Sequence, residues 1–120
     1  MSQTSTSSTP WAPITLRRGV PEVTVQWVAN NLHRIRLVDV REPEELVGPL
    51  GKIEDAQAVP LRTVPDAARG WGRDEAVVVL CRSGARSGQA ASYLTQQGFT
   101  QVASMAGGML EWNAFDLPVV

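Results

Sequence analysis

Residues 76–94 read AVVVLCRSGARSGQAASYL. The β-branched run at 76–80 is typical of a buried strand, and the residues after Arg86 have the composition and length of a helix. The loop between them opens on Cys81, the single cysteine of the chain. If such a loop wraps back on itself, its backbone N–H groups point inward, and the next helix N-terminus adds positive potential. The stretch therefore predicts a strand, an anion-binding loop and a helix, with the cysteine sulfur inside the loop.

The chemistry expected of Cys81 follows from this setting. A free thiol has a pKa of about 8.5. A helix N-terminus with arginine nearby lowers this pKa to roughly 3.5–7.5, because both stabilise the thiolate. We expect the sulfur to be largely ionised at neutral pH. Arg82 and Arg86 are predicted to hold an oxyanion such as thiosulfate or sulfite, since the guanidinium fork matches such groups.

The remaining loop positions are small or carry a hydroxyl group. Gly84 tolerates a positive φ, and the hydroxyls of Ser83 and Ser87 donate hydrogen bonds readily to a bound anion. A lone cysteine behind an apolar strand is more often a small core residue. A core cysteine, however, requires neither the two arginines nor the two serines that follow it here. The local sequence therefore favours a nucleophilic cysteine.

Four stretches of the chain resemble the rhodanese (sulfurtransferase) family. The loop at 81–86, with its flanking strand and helix, resembles the active-site segment of that family. The other three stretches are LVDVREPEEL at 37–46, GKIEDAQAVPL at 51–61, and AGGMLEW at 106–112 followed by LPV at 117–119. Their order and spacing also match, so we interpret residues 13–120 as one rhodanese domain.

The resemblance implies a fold, a reaction and a set of site residues. The fold is α/β, with a five-stranded, mainly parallel sheet that has helices on both faces and the active loop at its carboxyl edge. The reaction moves a sulfane sulfur from a small donor such as thiosulfate, through a Cys81 persulfide, to cyanide, glutathione or a sulfur-accepting protein. No metal or organic cofactor is required. The substrate-binding residues are Arg82, Ser83, Gly84, Ala85 and Arg86.

Asp39 and Ser87 are predicted to support this site. Asp39 interrupts an apolar run at 35–40 near the carboxyl end of a predicted parallel strand, which is the edge where open α/β sheets bind ligands. We expect its carboxylate to bond to backbone or to an arginine and so close a loop. The alternative is that it orients Arg86 or the active loop.

The chain departs from the family pattern at two positions. Lys52 stands where the family usually has histidine, and Asp55 stands where it usually has glycine. These changes affect the expected rim of the pocket and leave the nucleophile untouched.

Two other classes of protein compete with a sulfurtransferase. A phosphatase or arsenate reductase of related fold also places a cysteine and an arginine around an oxyanion, but such sites generally have one more residue between them. In the phosphatase signature, a histidine also stands at the position of Leu80. The other competitor is a noncatalytic rhodanese-like interaction module, in which the cysteine is typically lost. The presence of Cys81 and the short loop disfavour both.

The composition of the whole chain further limits the classes of function that it fits. A chain of 120 residues with 43% hydrophobic and 19% charged residues is typical of one globular domain. A net charge of −1 provides no basic field for nucleic acid. One cysteine forms no intramolecular disulfide, and no Cys/His cluster has metal-ligand spacing, which fits a reducing, cytoplasmic compartment. Residues 1–12 are predicted to be a disordered tail without the features of a signal peptide or a membrane span.

The rest of the pattern predicts short strands and helices in alternation. Strands are expected at 14–16, 35–40, 56–59 and 99–104, besides the one at 76–80. Thr24 is predicted to cap a helix that runs through Asn31, and residues 42–46 are predicted to form a first helical turn. Arg41 and Glu45 are four positions apart and are expected to pair.

Several single residues also carry expectations. His33 falls in a predicted turn and is expected to be solvated. Trp71 lies between two glycines and is expected to lie outside the central core. Met109, Leu110 and Trp112 are all expected to be buried.

Overall fold

The computed structural model describes residues 10–120, and these contain one six-stranded sheet. Its strands are β1 (Thr15–Arg17), β2 (Val20–Val23), β3 (Arg36–Asp39), β4 (Gln57–Ala58), β5 (Ala76–Leu80) and β6 (Gln101–Met105). They lie in the order β1-β2-β6-β5-β3-β4. The hairpin of β1 and β2 is antiparallel, and every other neighbouring pair is parallel. The predicted α/β fold with a mainly parallel sheet is confirmed.

Helices cover both faces of this sheet. They are α1 (Val25–Ala29), α2 (Pro43–Leu46), α3 (Val64–Ala67), α4 (Ala85–Gln96) and α5 (Gly108–Ala114). Helices α3 and α4 contribute to the core on one face, and α1 and α5 contribute to the core on the other. Three short 3₁₀ turns, Leu32–Arg34, Leu61–Thr63 and Ala68–Gly70, join some of these elements.

Strand β5 lies inside the sheet, and its sequence is almost continuously apolar because both of its faces are covered. Val77 and Val79 pack into the core beneath α3 and α4, whereas Val78 and Leu80 pack into the core beneath α1 and α5. Successive side chains of a strand point to opposite faces, so a strand covered on both faces needs apolar residues at every position. This packing places Cys81, the next residue, at the carboxyl edge of the sheet.

The prediction of five strands is one strand short, because β2 is absent from the predicted set. Its sequence, VPEV, contains Pro21, which lacks the N–H of a sheet ladder and lowers the expectation of a strand. The turn before it has positive φ at both central residues, 51° at Arg18 and 81° at Gly19. Two positive φ values are the signature of a tight type I′ hairpin, which returns the chain into the sheet.

Two predicted elements are confirmed with shorter bounds. The hydroxyl of Thr24 accepts the N–H of Trp27 at 3.1 Å and caps α1, as predicted, but the helix ends at Ala29. Strand β6 begins at Gln101 rather than at Phe99. In each case the predicted element exists and its ends differ by at most about two residues, which is the usual uncertainty of element ends.

The expectation for Trp71 is wrong. Its side chain is buried and lies edge-to-face on Phe99, with the ring centroids 6.4 Å apart. The guanidinium of Arg36 stacks over the Trp71 ring, 4.9 Å from its centroid. The flanking glycines mark a loop, but they leave the direction of the ring open. Here the 3₁₀ turn Ala68–Gly70 directs it into the core.

Leu110 is also wrongly predicted, because it is 40% exposed while Met109 and Trp112 are buried. Positions three apart on a helix share a face, and adjacent positions do not. His33, as expected, is exposed in its turn.

Residues 1–9 of the predicted tail lie outside the described residues. Trp11 packs edge-to-face on Trp27 at 5.8 Å, and Ala12 is buried. Within residues 10–120, no helix has both the length and the apolar character needed to cross a membrane.

Candidate active site

The active loop runs from the end of β5 to the start of α4. Leu80 closes the strand, Cys81 follows it, and α4 begins at Ala85. Between them, Gly84 has a φ of 114°, a left-handed conformation that glycine adopts without the steric cost that other residues meet. This turn folds the loop around the cysteine side chain.

The sulfur of Cys81 lies inside a cluster of hydrogen-bond donors. The N–H of Gly84 donates to Sγ at 3.0 Å, and the N–H of Ser87 does so at 3.4 Å. The hydroxyl oxygen of Ser87 is 3.5 Å from the same sulfur. The residue is only 1% exposed, so these contacts form in a largely dry environment where they are stronger than in water.

These donors decide the ionisation of the thiol. Burial raises the pKa of Cys81 and is the largest single influence. Hydrogen bonds from the hydroxyl and N–H of Ser87 and from the N–H groups of Gly84 and Ser83 together outweigh it. The pKa of the thiol therefore lies below its ordinary value. The main lowering influences are hydrogen-bond donors, whereas the sequence pointed to helix potential and arginine charge.

Arg86 lies beside the loop, but a carboxylate occupies its fork. Its Nη1 and Nη2 donate to Oε1 and Oε2 of Glu45 at 2.7 and 2.9 Å. The hydrogen bond from Arg86 is the main cause that lowers the pKa of Glu45 to about 2, and the same bond raises the pKa of Arg86. The predicted pairing of Arg41 with the Glu45 carboxylate is wrong: Arg41 reaches only the main-chain carbonyl of Glu45, at 3.3 Å.

Glu45 is held in place by the start of its own helix. Its Oε1 accepts the N–H of Glu42 at 2.9 Å, and the side chain of Glu42 completes the reciprocal capping box of α2. The Glu45–Arg86 pair therefore connects α2 to the first turn of α4.

Asp39 forms a buried ion pair with Arg41 rather than a contact with Arg86. Its carboxylate accepts from Nη2 of Arg41 at 2.9 Å and from Nε at 3.0 Å, and both side chains are almost completely buried. Arg41 also donates to the carbonyl of Gly51 at 2.9 Å. The pair thus ties the end of β3 to the following loops, which agrees with the expectation that Asp39 closes a loop.

The N-terminus of α5 packs against the main chain of the active loop. The N–H of Met109 donates to the carbonyl of Cys81 at 2.9 Å, and that of Leu110 donates to the carbonyl of Arg82 at 3.0 Å. Gly108 has a φ of 59°, and a Cβ there would lie 2.5 Å from the Cys81 carbonyl oxygen. A residue without a side chain at 108 is therefore required for this contact.

The outer loop residues form the rim of the site. Arg82, Ser83 and Ala85 are exposed. A groove of about 950 Å³ borders the rim at Ser83 and Ala85, and Arg17 and Arg18 line it from the β1–β2 hairpin. Space for a molecule larger than thiosulfate therefore lies next to the loop.

The structure adds two residues that the sequence analysis missed. Glu45 is 41 positions from Arg86, and no pattern along the chain connects them. Ser104 is fully buried in β6, and its hydroxyl oxygen lies 2.7 Å from that of Ser87. A single hydroxyl within the apolar run of β6 was the available signal for Ser104.

The two departures from the family pattern lie at exposed positions. Lys52 and Asp55 both face solvent. The main chain of Lys52 pairs with that of Val120 through two hydrogen bonds of 2.9 and 3.2 Å. Among residues 10–120, no group of three or more His, Cys, Asp or Glu side chains is arranged to hold a metal ion.

Comparison with known proteins agrees with this architecture. The family model of the rhodanese-like domain matches residues 24–115. A sulfurtransferase of Allochromatium vinosum is 42% identical over 86 residues, which cover 72% of this chain and 78% of that protein. The thiosulfate sulfurtransferase GlpE of Pseudomonas paraeruginosa is 33% identical over 100 residues, covering 83% and 86%.

A solved structure shares the same fold. The crystal structure of a rhodanese-related protein from Thermoplasma volcanium superposes with a TM-score of 0.74 at 28% identity, covering 82% of this chain and 96% of that one. The family model spans most of the described residues, and relatives named as sulfurtransferases align over most of their own length. This chain therefore belongs to the rhodanese family.

Proposed function

We propose that this protein is a thiosulfate sulfurtransferase that carries sulfur as a persulfide on Cys81. The observation that carries the proposal is the set of donors around Sγ: two backbone N–H groups and one hydroxyl converge on a buried sulfur. Such donors favour the thiolate, which is the nucleophilic form of cysteine. The names of the sulfurtransferase relatives support the same reaction class.

In the first half-reaction, the Cys81 thiolate attacks the sulfane sulfur of the donor. With thiosulfate, the S–S bond of the donor breaks, its electron pair leaves with sulfite, and a new S–S bond forms on Cys81. The outer sulfur of the persulfide carries the negative charge. The N–H groups of Gly84 and Ser87, which already point at Sγ, are placed to stabilise that charge as an oxyanion hole stabilises an oxygen anion.

The cations of the loop act on the leaving sulfite in different ways. Both terminal nitrogens of Arg86 already bind Glu45, so its fork is not available to sulfite. Arg82 is exposed at the rim, and no carboxylate pairs with it in the part of the chain that the structure describes. We therefore assign the direct contact with sulfite to Arg82 and a supporting charge to Arg86.

In the second half-reaction, an acceptor thiolate or cyanide attacks the outer sulfur. The persulfide bond breaks, and its electron pair returns to Cys81 as the thiolate. The chain has no other cysteine to accept the sulfur, so the acceptor comes from outside. The groove beside Ser83 and Ala85 has the size to admit glutathione or the segment of a protein acceptor.

Intact mass spectrometry tests the proposal directly. The protein is incubated with thiosulfate, freed of donor and measured before and after cyanide. We expect a gain of one sulfur atom, about 32 Da, that cyanide removes and that Cys81→Ser abolishes.

Two outcomes of this experiment would contradict the proposed function. Absence of the adduct on folded wild-type protein, together with hydrolysis of p-nitrophenyl phosphate, would replace the proposal with a phosphatase. Retention of the adduct in Cys81→Ser would place the sulfur on another group.

A further inference from the structure

Ser104 is a buried hydroxyl with one side-chain partner. It lies in β6 beside Ala103 and Met105, is fully buried, and is in register with Val79 of β5. Burying a hydroxyl among apolar residues costs free energy unless it is hydrogen-bonded. Within residues 10–120, the only side-chain hydrogen bond of Ser104 is the 2.7 Å contact with Ser87.

The direction of that hydrogen bond follows from the available acceptors. The single hydrogen of the Ser87 hydroxyl has the sulfur of Cys81 at 3.5 Å and the carbonyl of Gly84 at 3.2 Å as further acceptors. Ser104 has no second acceptor among the described residues. If Ser87 donated to Ser104, the hydrogen of Ser104 would be buried without a partner, at a cost of about 1–3 kcal/mol. Ser104 is therefore the donor, and Ser87 is the acceptor.

We propose that Ser104 is a positioning residue, which donates to Ser87 and so leaves the Ser87 hydrogen for the Cys81 sulfur once that sulfur is ionised. The competing acceptor is the neutral carbonyl of Gly84 at 3.2 Å, and a hydrogen bond to a charged acceptor is the stronger of the two. The inference rests on the proposed function in one respect, namely that this sulfur is the reacting atom. Consecutive hydrogen bonds polarise one another, so the bond from Ser104 strengthens the bond from Ser87 to the thiolate. The contact between β6 and α4 thereby acts on the nucleophile.

The pH dependence of cysteine alkylation tests this assignment. Wild type, Ser104→Ala, Ser87→Ala and the double variant are treated with iodoacetamide from about pH 5 to about pH 10, because the rate follows the thiolate fraction. We expect Ser104→Ala to react about threefold more slowly in the acidic part of the range and at the wild-type rate in the alkaline part. Ser87→Ala should react more slowly still.

The double variant distinguishes a relay from a general effect on the fold. If Ser104 acts through Ser87, adding Ser104→Ala to Ser87→Ala produces no further slowing. Ser92→Ala is the matched control, because it removes a hydroxyl from the same helix without a hydrogen bond to the sulfur. It should retain the wild-type profile. Thermal unfolding confirms that each variant is folded.

Three results would overturn the inference: a Ser104→Ala profile identical to wild type, equal slowing with and without Ser87, or slowing that persists at alkaline pH. Alkylation requires no sulfur donor, so the result is independent of persulfide formation. A confirmed relay in a protein that forms no persulfide would overturn the proposed function alone.

Discussion

Arg82 and Arg86 carry the same charge in one loop, but their surroundings differ. Arg82 is exposed at the rim, whereas Arg86 forms a two-point ion pair with Glu45. A paired guanidinium keeps its charge but loses the fork that binds an oxyanion. The sequence alone does not distinguish the two arginines, whereas their contacts in the structure do.

Replacing Arg82 tests this division. We expect Arg82→Gln to raise the KM for thiosulfate about fivefold, because an exposed cation contributes on the order of 1 kcal/mol to anion binding. The effect should shrink at high ionic strength, since salt screens exposed charges. Steady-state kinetics at low and high salt provide the measurement.

Arg69→Gln is the control, because it removes an exposed arginine outside the loop. An equal rise in KM for both variants would mean that overall charge, rather than Arg82, attracts the donor.

Gly108 is a second residue whose importance lies in its contacts. A Cβ at this position would lie 2.5 Å from the carbonyl oxygen of Cys81 and 2.6 Å from that of Arg82, at a φ of 59°. We expect Gly108→Ala to lower the free energy of unfolding by about 2–4 kcal/mol, because the clash adds to the backbone strain. Sulfur transfer should fall with it, since the active loop must shift. Urea unfolding and the transfer assay measure the two effects.

Gly19→Ala provides the comparison for Gly108→Ala. Gly19 also has a positive φ, 81°, but no atom lies within 4 Å of its added Cβ. Only the backbone cost of about 1 kcal/mol should remain, and transfer should be unaffected. Equal stability of the two variants would show that the loop relaxes freely around the Gly108 side chain.

At the scale of elements, two helices are joined by one ion pair across the active loop. Glu45 is fixed by the capping box of α2, and Arg86 belongs to the first turn of α4. The loop that contains Cys81 lies between β5 and α4, so the pair holds one end of the loop against α2. The free energy of this contact depends on pH through the carboxylate.

The pH dependence of stability follows from the pKa of Glu45, which is lowered from 4.5 to about 2. A carboxyl group whose pKa is lowered by folding stabilises the folded state fully at pH values above its unfolded-state pKa. This stabilisation is lost as the pH falls towards the folded-state pKa. Glu45→Gln should therefore lower the free energy of unfolding on the order of 1 kcal/mol at neutral pH, after solvent screening of this partly exposed pair. The difference from wild type should disappear between about pH 5 and about pH 2.

Glu44→Gln is the matched control for this measurement. It removes an exposed carboxylate from the same helix, and the described residues give it no ion-pair partner. Urea unfolding at several pH values compares both variants with wild type. A constant difference between Glu45→Gln and wild type across the acidic range would show that the carboxylate charge is not what stabilises the contact.

At the scale of the whole molecule, the chain contains a single cysteine, Cys81. A persulfide on Cys81 has no internal thiol to resolve it, and two copies cannot bring their sulfurs into contact because Cys81 is buried in each of them. We expect the persulfide to persist after the donor is removed, without covalent dimers on a non-reducing gel. With cyanide as acceptor, initial rates at several concentrations should give the parallel double-reciprocal lines of a ping-pong reaction.

Intersecting double-reciprocal lines would contradict this expectation, because they indicate that donor and acceptor bind together before sulfur moves. Cys81→Ser, which retains the loop but not the thiol, is the control for sulfur bound without a covalent bond.

The sequence by itself determined the strand, loop and helix at 76–94, the α/β class, and the place of Cys81 within the loop. These features depend on neighbours within a few residues, and their periodicity and turn chemistry are visible along the chain. The sequence does not predict strand β2, because Pro21 is unfavourable in a strand. Pairing with β1 and β6 stabilises the strand nevertheless.

Only the tertiary structure decided how the donors and charges around the sulfur are shared. Glu45 reaches Arg86 across 41 positions, Ser104 reaches Ser87 across 17, and Trp71 turns into the core. Parallel strands bring together residues that are separated by whole helices, so the packing of strands and helices around the sheet creates these contacts. The position of the cysteine in its loop is local information, whereas the hydrogen-bond partners of its sulfur and the pairing of Arg86 depend on packing.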